Sequence, residues 1–242
     1  MSTPSPESTA VAAPTYEDLA SLMEYTLVQP ELSEEDVSRG FDAARKYGVA
    51  AVVIRPSDVD LVARAVPGSA VRLGALADSP HGYSTTAAKL YEARDLLRRG
   101  VHELNTVMNT GKLISRQFQY LETELQQMAD SCHQSGAVLA VNLESEFLNE
   151  ELKILACRVA RRAGADYIGT NNLADVPFLR THSRERLKIK SRAANPDLAT
   201  ALAFRDAGCS RIQTAYPGPV LEAWKAHVTA MQAGNRSLIA NH

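Results

Sequence analysis

The chain alternates between two kinds of segment. Eight short, β-rich and nearly uninterrupted apolar runs lie at 25–29, 49–55, 70–76, 101–108, 137–144, 166–171, 187–191 and 210–215, separated by longer amphipathic stretches. Strands that are apolar on both faces must be covered on both faces, as in a parallel sheet. Eight strand–helix units, whose helices end in Gly-Ala or Gly-Val before the next strand, predict an α/β fold of the (β/α)8 TIM-barrel class. An open doubly wound sheet is the alternative. It is weakened because no GxGxxG follows the first strand and no charge-bearing loop marks a switch point.

The helix ends are written in the sequence. Ser33 is a candidate N-cap for the stretch 33–48, with acidic residues at 34–36 and Gly48 as the stop. Asn149 opens the next well-marked helix, which stops at Gly164; Asn195 and Pro196 open another, which stops at Gly208. Residues 1–14, rich in Ser, Thr, Pro and Ala, read as a disordered lead-in, 15–235 as the barrel and 236–242 as a tail. A chain of 242 residues with 45% hydrophobic content is enough for one well-buried domain.

Composition excludes several roles. A net charge of -2 gives no electrostatic case for nucleic acid or an anionic membrane surface. No apolar run approaches a membrane span and no signal peptide is recognisable. Cys132, Cys157 and Cys209 are widely spaced, with no CxxC pair, and read as buried thiols of a cytoplasmic protein. No cluster of His, Cys and Asp has metal-ligand spacing, so no metal and no other cofactor is expected.

In such a barrel the functional groups lie at the C-terminal strand ends. The sequence places there Glu24, Arg55, His81, Asn105, Asn109, Asn142, Glu144, Thr170, Asn171, Lys190, Arg192, Gln213 and Thr214. Polar groups on otherwise apolar strands are costly to bury unless partnered. For Asn109, Thr170 and Thr214 mutual hydrogen bonding and helix capping is the favoured explanation. For Lys190, Glu144 and Asn105 a functional role is favoured.

The order of motifs resembles the deoxyribose-phosphate aldolase family, class I aldolases built as (β/α)8 barrels, over residues 17–224. "VRLGALADSPHGYSTTAAKLYEA" is similar to the family's VxVxTVIGFPxGxxTTxxKxxEA and keeps Pro80, Gly82, Thr85, Thr86, Lys89, Glu92 and Ala93. "HELNTVMNTGKL", "VLAVNLESEFLNEELKILAC", "GADYIGTNN" and "LKIKSRAANPDLATALAFRDAGCSRIQTA" resemble the following motifs in the same order. The departures are concentrated in the chemistry. The family's Schiff-base lysine falls on Gly169 and its fourth-strand aspartate on Asn105. Its fifth-strand lysine falls on Ala140, its opening Asp-His on Glu24-Tyr25, and its phosphate-gripping Gly-Gly on Ala193-Ala194. The seventh-strand lysine, Lys190, and the fifth-strand glutamate, Glu144, are kept.

The resemblance implies a small carbonyl substrate and a homodimer. The departures imply that the parent reaction is lost, because glycine cannot supply the amine an imine requires. Three readings follow. In the first, Lys190 is a new imine-forming amine or a cation. In the second, which is preferred, a lyase, isomerase or cyclase works without an imine. Glu144 is its acid or base, Lys190 and Asn105 polarise a carbonyl, His81 is an added acid–base candidate, and Asn142, Thr170, Asn171, Arg192, Glu24 and Gln213 bind substrate. In the third, the barrel is a non-catalytic binder. Gly169 is further expected to leave room for a bulkier ligand.

Overall fold

In the computed structural model, which describes residues 14–78, 80–184 and 186–240, all eight runs carry a strand. They are β1 Met23–Leu27, β2 Ala51–Ile54, β3 Arg72–Leu76, β4 Glu103–Val107, β5 Val138–Asn142, β6 Tyr167–Thr170, β7 Lys188–Arg192 and β8 Arg211–Thr214. They pair in parallel in sequence order and close through β1 and β8 into one barrel. The helices are α1 Glu17–Ala20, α2 Glu34–Tyr47, α3 Val59–Ala63, α4 Thr86–Arg98, α5 Thr110–Ile114, α6 Phe118–Gln134, α7 Glu150–Arg162, α8 Asp175–Ser183, α9 Leu198–Ala207 and α10 Pro217–Ala240. The lead-in at 1–14 falls almost wholly outside the described residues. α10 runs on past residue 235, where the sequence put the end of the barrel.

The capping chemistry accounts for the helix starts. Ser33 and Asp36 form a reciprocal capping box at α2, and Gly48 ends that helix in the left-handed region at φ 63°. The Asn149 side chain accepts from Leu152 N at 2.9 Å. The start of α9 lies two residues later than the sequence suggested, because Asp197 rather than Asn195 caps it, accepting from Thr200 N at 2.8 Å. Each such cap is worth about 1 kcal/mol.

Alternation along the strands divides the protein into two cores. Val52, Ile54, Leu73, Ala75, Leu104, Leu139, Val141, Ile168, Ile189 and Ile212 belong to the apolar layer under the helices. The residues between them then point inward. Several of these are polar or charged: Glu24, Glu103, Asn105, Lys190, Arg211 and Gln213. Barrel interiors are ordinarily filled with branched apolar side chains, so the polar interior needs its own account. Cys132, Cys157 and Cys209 are buried and free, and burial pushes their thiols up to about 12, 11 and 12. They are inert as nucleophiles. Trp224 is buried, and its indole N–H donates to Thr15 O at 3.0 Å, tying α10 to the start of the described chain.

Candidate active site

Lys190 sits in the middle of β7, paired in register with Gly169 on one side and Arg211 on the other. It is 1% exposed. Its ammonium carries three protons and faces three acceptors. It donates to Asn105 Oδ1 at 2.9 Å and to Glu103 Oε1, and lies 2.7 Å from Glu24 Oε2 as an ion pair. Asn105 in turn donates to Glu103 Oε1 at 3.3 Å and accepts from Gln213 Nε2 at 3.3 Å. Arg211 Nε lies 3.4 Å from Glu24 Oε1.

Burial alone would drive the proton off this lysine, but Glu103 and Glu24 outweigh it and hold the amine above the ordinary lysine pKa. One cation between two buried carboxylates cannot satisfy both equally. Burial, reinforced by the charge of Glu103, pushes Glu24 up to about 7 despite the nearby ammonium. Burial also opposes the charge of Glu103, but Lys190 overrides it and holds that carboxyl below the usual range. Lys190 is thus a fixed, fully solvated-by-protein cation rather than a free base.

The space beside Gly169, where the resemblance places the imine-forming lysine, is taken by a neighbouring side chain. A Cβ built on Gly169 would stand 2.1 Å from Asn142 Oδ1. Asn142 is the register partner of Gly169 on β5, and its amide donates to Thr106 O at 3.3 Å while lying across the glycine. The expected room for a bulkier ligand is therefore absent: the neighbouring strand's side chain occupies it.

Glu144 does not join Lys190. It lies beyond the end of β5, where Glu144 Oε1 meets His81 Nδ1 at 2.5 Å and Oε2 accepts from Thr110 Oγ1 at 3.0 Å. The His81 side chain is 52% exposed and stacks on Tyr83, ring centroids 5.5 Å apart. A carboxylate only accepts, so His81 Nδ1–H is the donor and Nε2 is the nitrogen left facing solvent.

The loop bearing His81 is pinned from beneath. Lys89, 1% exposed, donates to Gly82 O at 2.6 Å and lies 2.7 Å from Asp78 Oδ2 and 2.9 Å from Glu124 Oε1. Glu92 accepts from Asp78 N at 2.8 Å, and Asp78 itself is left-handed at φ 57°. Gly82 has φ 69°, and any Cβ there would meet Val107 O at 2.1 Å. The motif residues Gly82, Lys89 and Glu92 are thus the scaffold that presses this loop against the end of β4.

The remaining sequence candidates divide. Glu24 was placed at the mouth, but it is the second residue of β1, wholly buried and paired with Lys190 inside the barrel. Thr170 is consumed by structure, since Ser145 Oγ lies at 3.1 Å and Asp175 Oδ2 accepts from it at 3.2 Å. Asn109 caps α5, accepting from Lys112 N at 3.0 Å. Asn171 and Arg192 are exposed and line a 520 Å³ cavity at the ends of β6 and β7, with Glu146 and Asn195. Sequence reading missed Glu103, Arg211 and Thr110. Period-two alternation carried the signal for the first two, because Glu103 precedes Asn105, and Arg211 precedes Gln213, by two positions on one strand face.

A closed eight-stranded parallel barrel with a buried lysine below a polar mouth defines a protein of the aldolase-like barrel class. The comparisons agree. The deoxyribose-phosphate aldolase of Bacteroides thetaiotaomicron is 32% identical over 217 residues, covering 86% of this chain and 91% of that one. That of Methanothermobacter thermautotrophicus is 30% identical over 220 residues, 87% and 97% of the two chains. The solved deoxyribose phosphate aldolase of Aeropyrum pernix, described as tetrameric, superposes with a TM-score of 0.81 at 26% identity over 87% of this chain and 92% of that one. No protein-family model matches the chain. The chain belongs to the deoxyribose-phosphate aldolase family. Among the described residues no helix is long and apolar enough to cross a membrane, and no group of three or more His, Cys, Asp or Glu is placed to hold a metal.

Proposed function

We propose that this family member has given up imine chemistry and acts on a small carbonyl compound by acid–base catalysis, as a lyase, isomerase or cyclase. The observation that carries the reading is the contact of His81 Nδ1 with Glu144 Oε1 at 2.5 Å, at the mouth of a barrel whose interior amine is held as a cation. Glu144 is the base that removes a proton next to the carbonyl, and Thr110 and His81 fix its two oxygens. His81 Nε2 exchanges the proton with solvent or with the leaving oxygen. Arg192 and Asn171 hold the polar end of the substrate in the cavity beside them.

The name of the relatives supplies the first compound to test. Deoxyribose 5-phosphate is expected not to be cleaved, and aldehyde with borohydride is expected to leave no adduct by mass spectrometry. Exchange of the proton α to a carbonyl in heavy water is expected to fall about 10²–10⁴-fold in Glu144→Gln. Cleavage at an ordinary enzymatic rate, or an adduct on Lys190, would overturn the reading. A non-catalytic binder is the second reading, favoured by the closed interior, in which Lys190, Asn105, Thr170 and Gln213 are at most 4% exposed. It wins if the His81→Ala, Glu144→Gln double variant still performs the natural role in cells. The tetrameric relative makes a homo-oligomer the expected state, with a homodimer its simplest form; sedimentation decides it.

A further inference from the structure

We infer that the floor of the barrel, opposite the mouth, carries a separate binding site for a small phosphorylated anion. A 520 Å³ cavity opens there between the start of β1, the turn after α2, the loop before β3 and the start of β8. Three of its lining residues are arginines, Arg45, Arg72 and Arg211, and none is acidic. Arg72 and Arg211 are the first residues of their strands, and Arg45 lies in the last turn of α2. The chain as a whole carries a net charge of -2, so composition does not force this concentration of positive charge. Like charges gathered around one concavity repel, and an anion of matching size relieves them; the guanidinium fork suits phosphate in particular. The volume falls in the range of small-molecule sites.

Arg211 makes this more than a solvated patch. Its side chain is only 23% exposed, and Arg211 Nε is buried without a hydrogen-bond partner. Its guanidinium is held in place by Ser210 O at 2.9 Å and Ser21 O at 3.3 Å. It faces the cavity on one side and Glu24 on the other, with Nε 3.4 Å from Glu24 Oε1. An anion on the floor therefore competes with Glu24 for the same guanidinium, so occupancy of the floor is linked to the charge cluster around Lys190.

The floor cavity shares no lining residue with the cavity at the mouth, and the test keeps the two apart. Inorganic phosphate and pyrophosphate are titrated calorimetrically into the full chain at low ionic strength. Saturable binding is expected, weakening as salt rises. It is expected to fall at least about 10-fold in Arg72→Ala, to vanish in the Arg45→Ala, Arg72→Ala double variant, and to persist in Arg192→Ala, which removes the cation at the mouth. Both arginines of the double variant are exposed, so the fold is expected to survive, as circular dichroism will show. No binding at millimolar anion, binding unchanged in the double variant, or binding lost in Arg192→Ala would each overturn the inference.

Discussion

Lys190 and Glu144 belong to the same barrel and are both kept from the family pattern, yet their surroundings differ in kind. Lys190 is 1% exposed, and its three protons meet three acceptors on two other strands, Glu24 on β1 and Glu103 and Asn105 on β4. Glu144 has a 17% exposed side chain and bonds to one hydroxyl and one histidine that is half in water. The first arrangement is saturated: nothing can approach the amine without displacing a carboxylate. The second is open: Glu144 is oriented by two neighbours, and its exposed partner can trade protons with solvent. A charge can survive a family's change of chemistry either because it reacts or because its partners cannot do without it. The geometry of Lys190 fits the second case, and under the proposed function Glu144 is the first.

The sharpest way to break this contrast is Lys190→Met. Removing one partner of a buried ion pair leaves uncompensated charge and costs about 3–5 kcal/mol. Here two buried carboxylates lose their counter-charge, so urea unfolding is expected to show a loss at the upper end of that range. Glu144→Gln, by contrast, is expected to change stability by no more than about 1 kcal/mol, because its ionic partner His81 is 52% exposed and the amide can keep the bond from Thr110. Comparable losses in the two variants would erase the distinction.

The next largest effect concerns the vacated position. Gly169→Lys puts an amine where the resemblance implies one but drives its Cβ toward Asn142 Oδ1, 2.1 Å away. Asn142 must turn aside and give up its 3.3 Å bond to Thr106 O, which costs about 0.5–1.5 kcal/mol, and no borohydride-trappable imine is expected. Adding Asn142→Ala opens the space and is expected to recover most of the stability. Trapping on residue 169 in the single variant would show that the interior is looser than the geometry indicates.

The fold was legible because it is a repeated pattern. Eight apolar runs with helices between them leave little choice of architecture, and caps such as Ser33 and Asn149 are local signals that the structure keeps. The site was legible only in part. Lys190, Asn105, Glu144 and His81 were found, but they were assembled into one cluster, whereas the structure makes two. The error lies in treating every polar residue near a strand end as part of the mouth. Glu24 shows why: it is the second residue of β1, near the start of the strand rather than its C-terminal end, and it pairs with Lys190 inside the barrel. The partners of Lys190 come from β4, 85 and 87 residues away, and from β1, almost twice as far along the chain, and only the closure of the barrel brings them together. Lys89 was read as a motif residue without a role. Its function as the anchor of the His81 loop depends on Glu124, which no local pattern connects to it.

The smallest effect sharpens the contrast through pH. Glu24 is raised to about 7, chiefly by burial, from an ordinary value of 4.5. Between those values the folded protein holds a proton that the unfolded chain has released. Stability from this group is therefore complete below about pH 4.5 and declines as pH rises toward 7, by at most about 1.4 kcal/mol per pH unit. Glu103 and Lys190 titrate outside that window, Glu103 below its usual range and Lys190 above its own, so neither cancels the slope within it. Other carboxylates contribute their own slopes, and subtraction removes them. The difference in unfolding free energy between the natural protein and Glu24→Gln, measured by urea titration at several pH values, is expected to shift against the natural protein as pH rises through this interval. Glu144→Gln gives the matching control at the mouth. A flat difference for Glu24→Gln would mean that Lys190 and Arg211 together neutralise both carboxylates, and that the interior holds no proton to release.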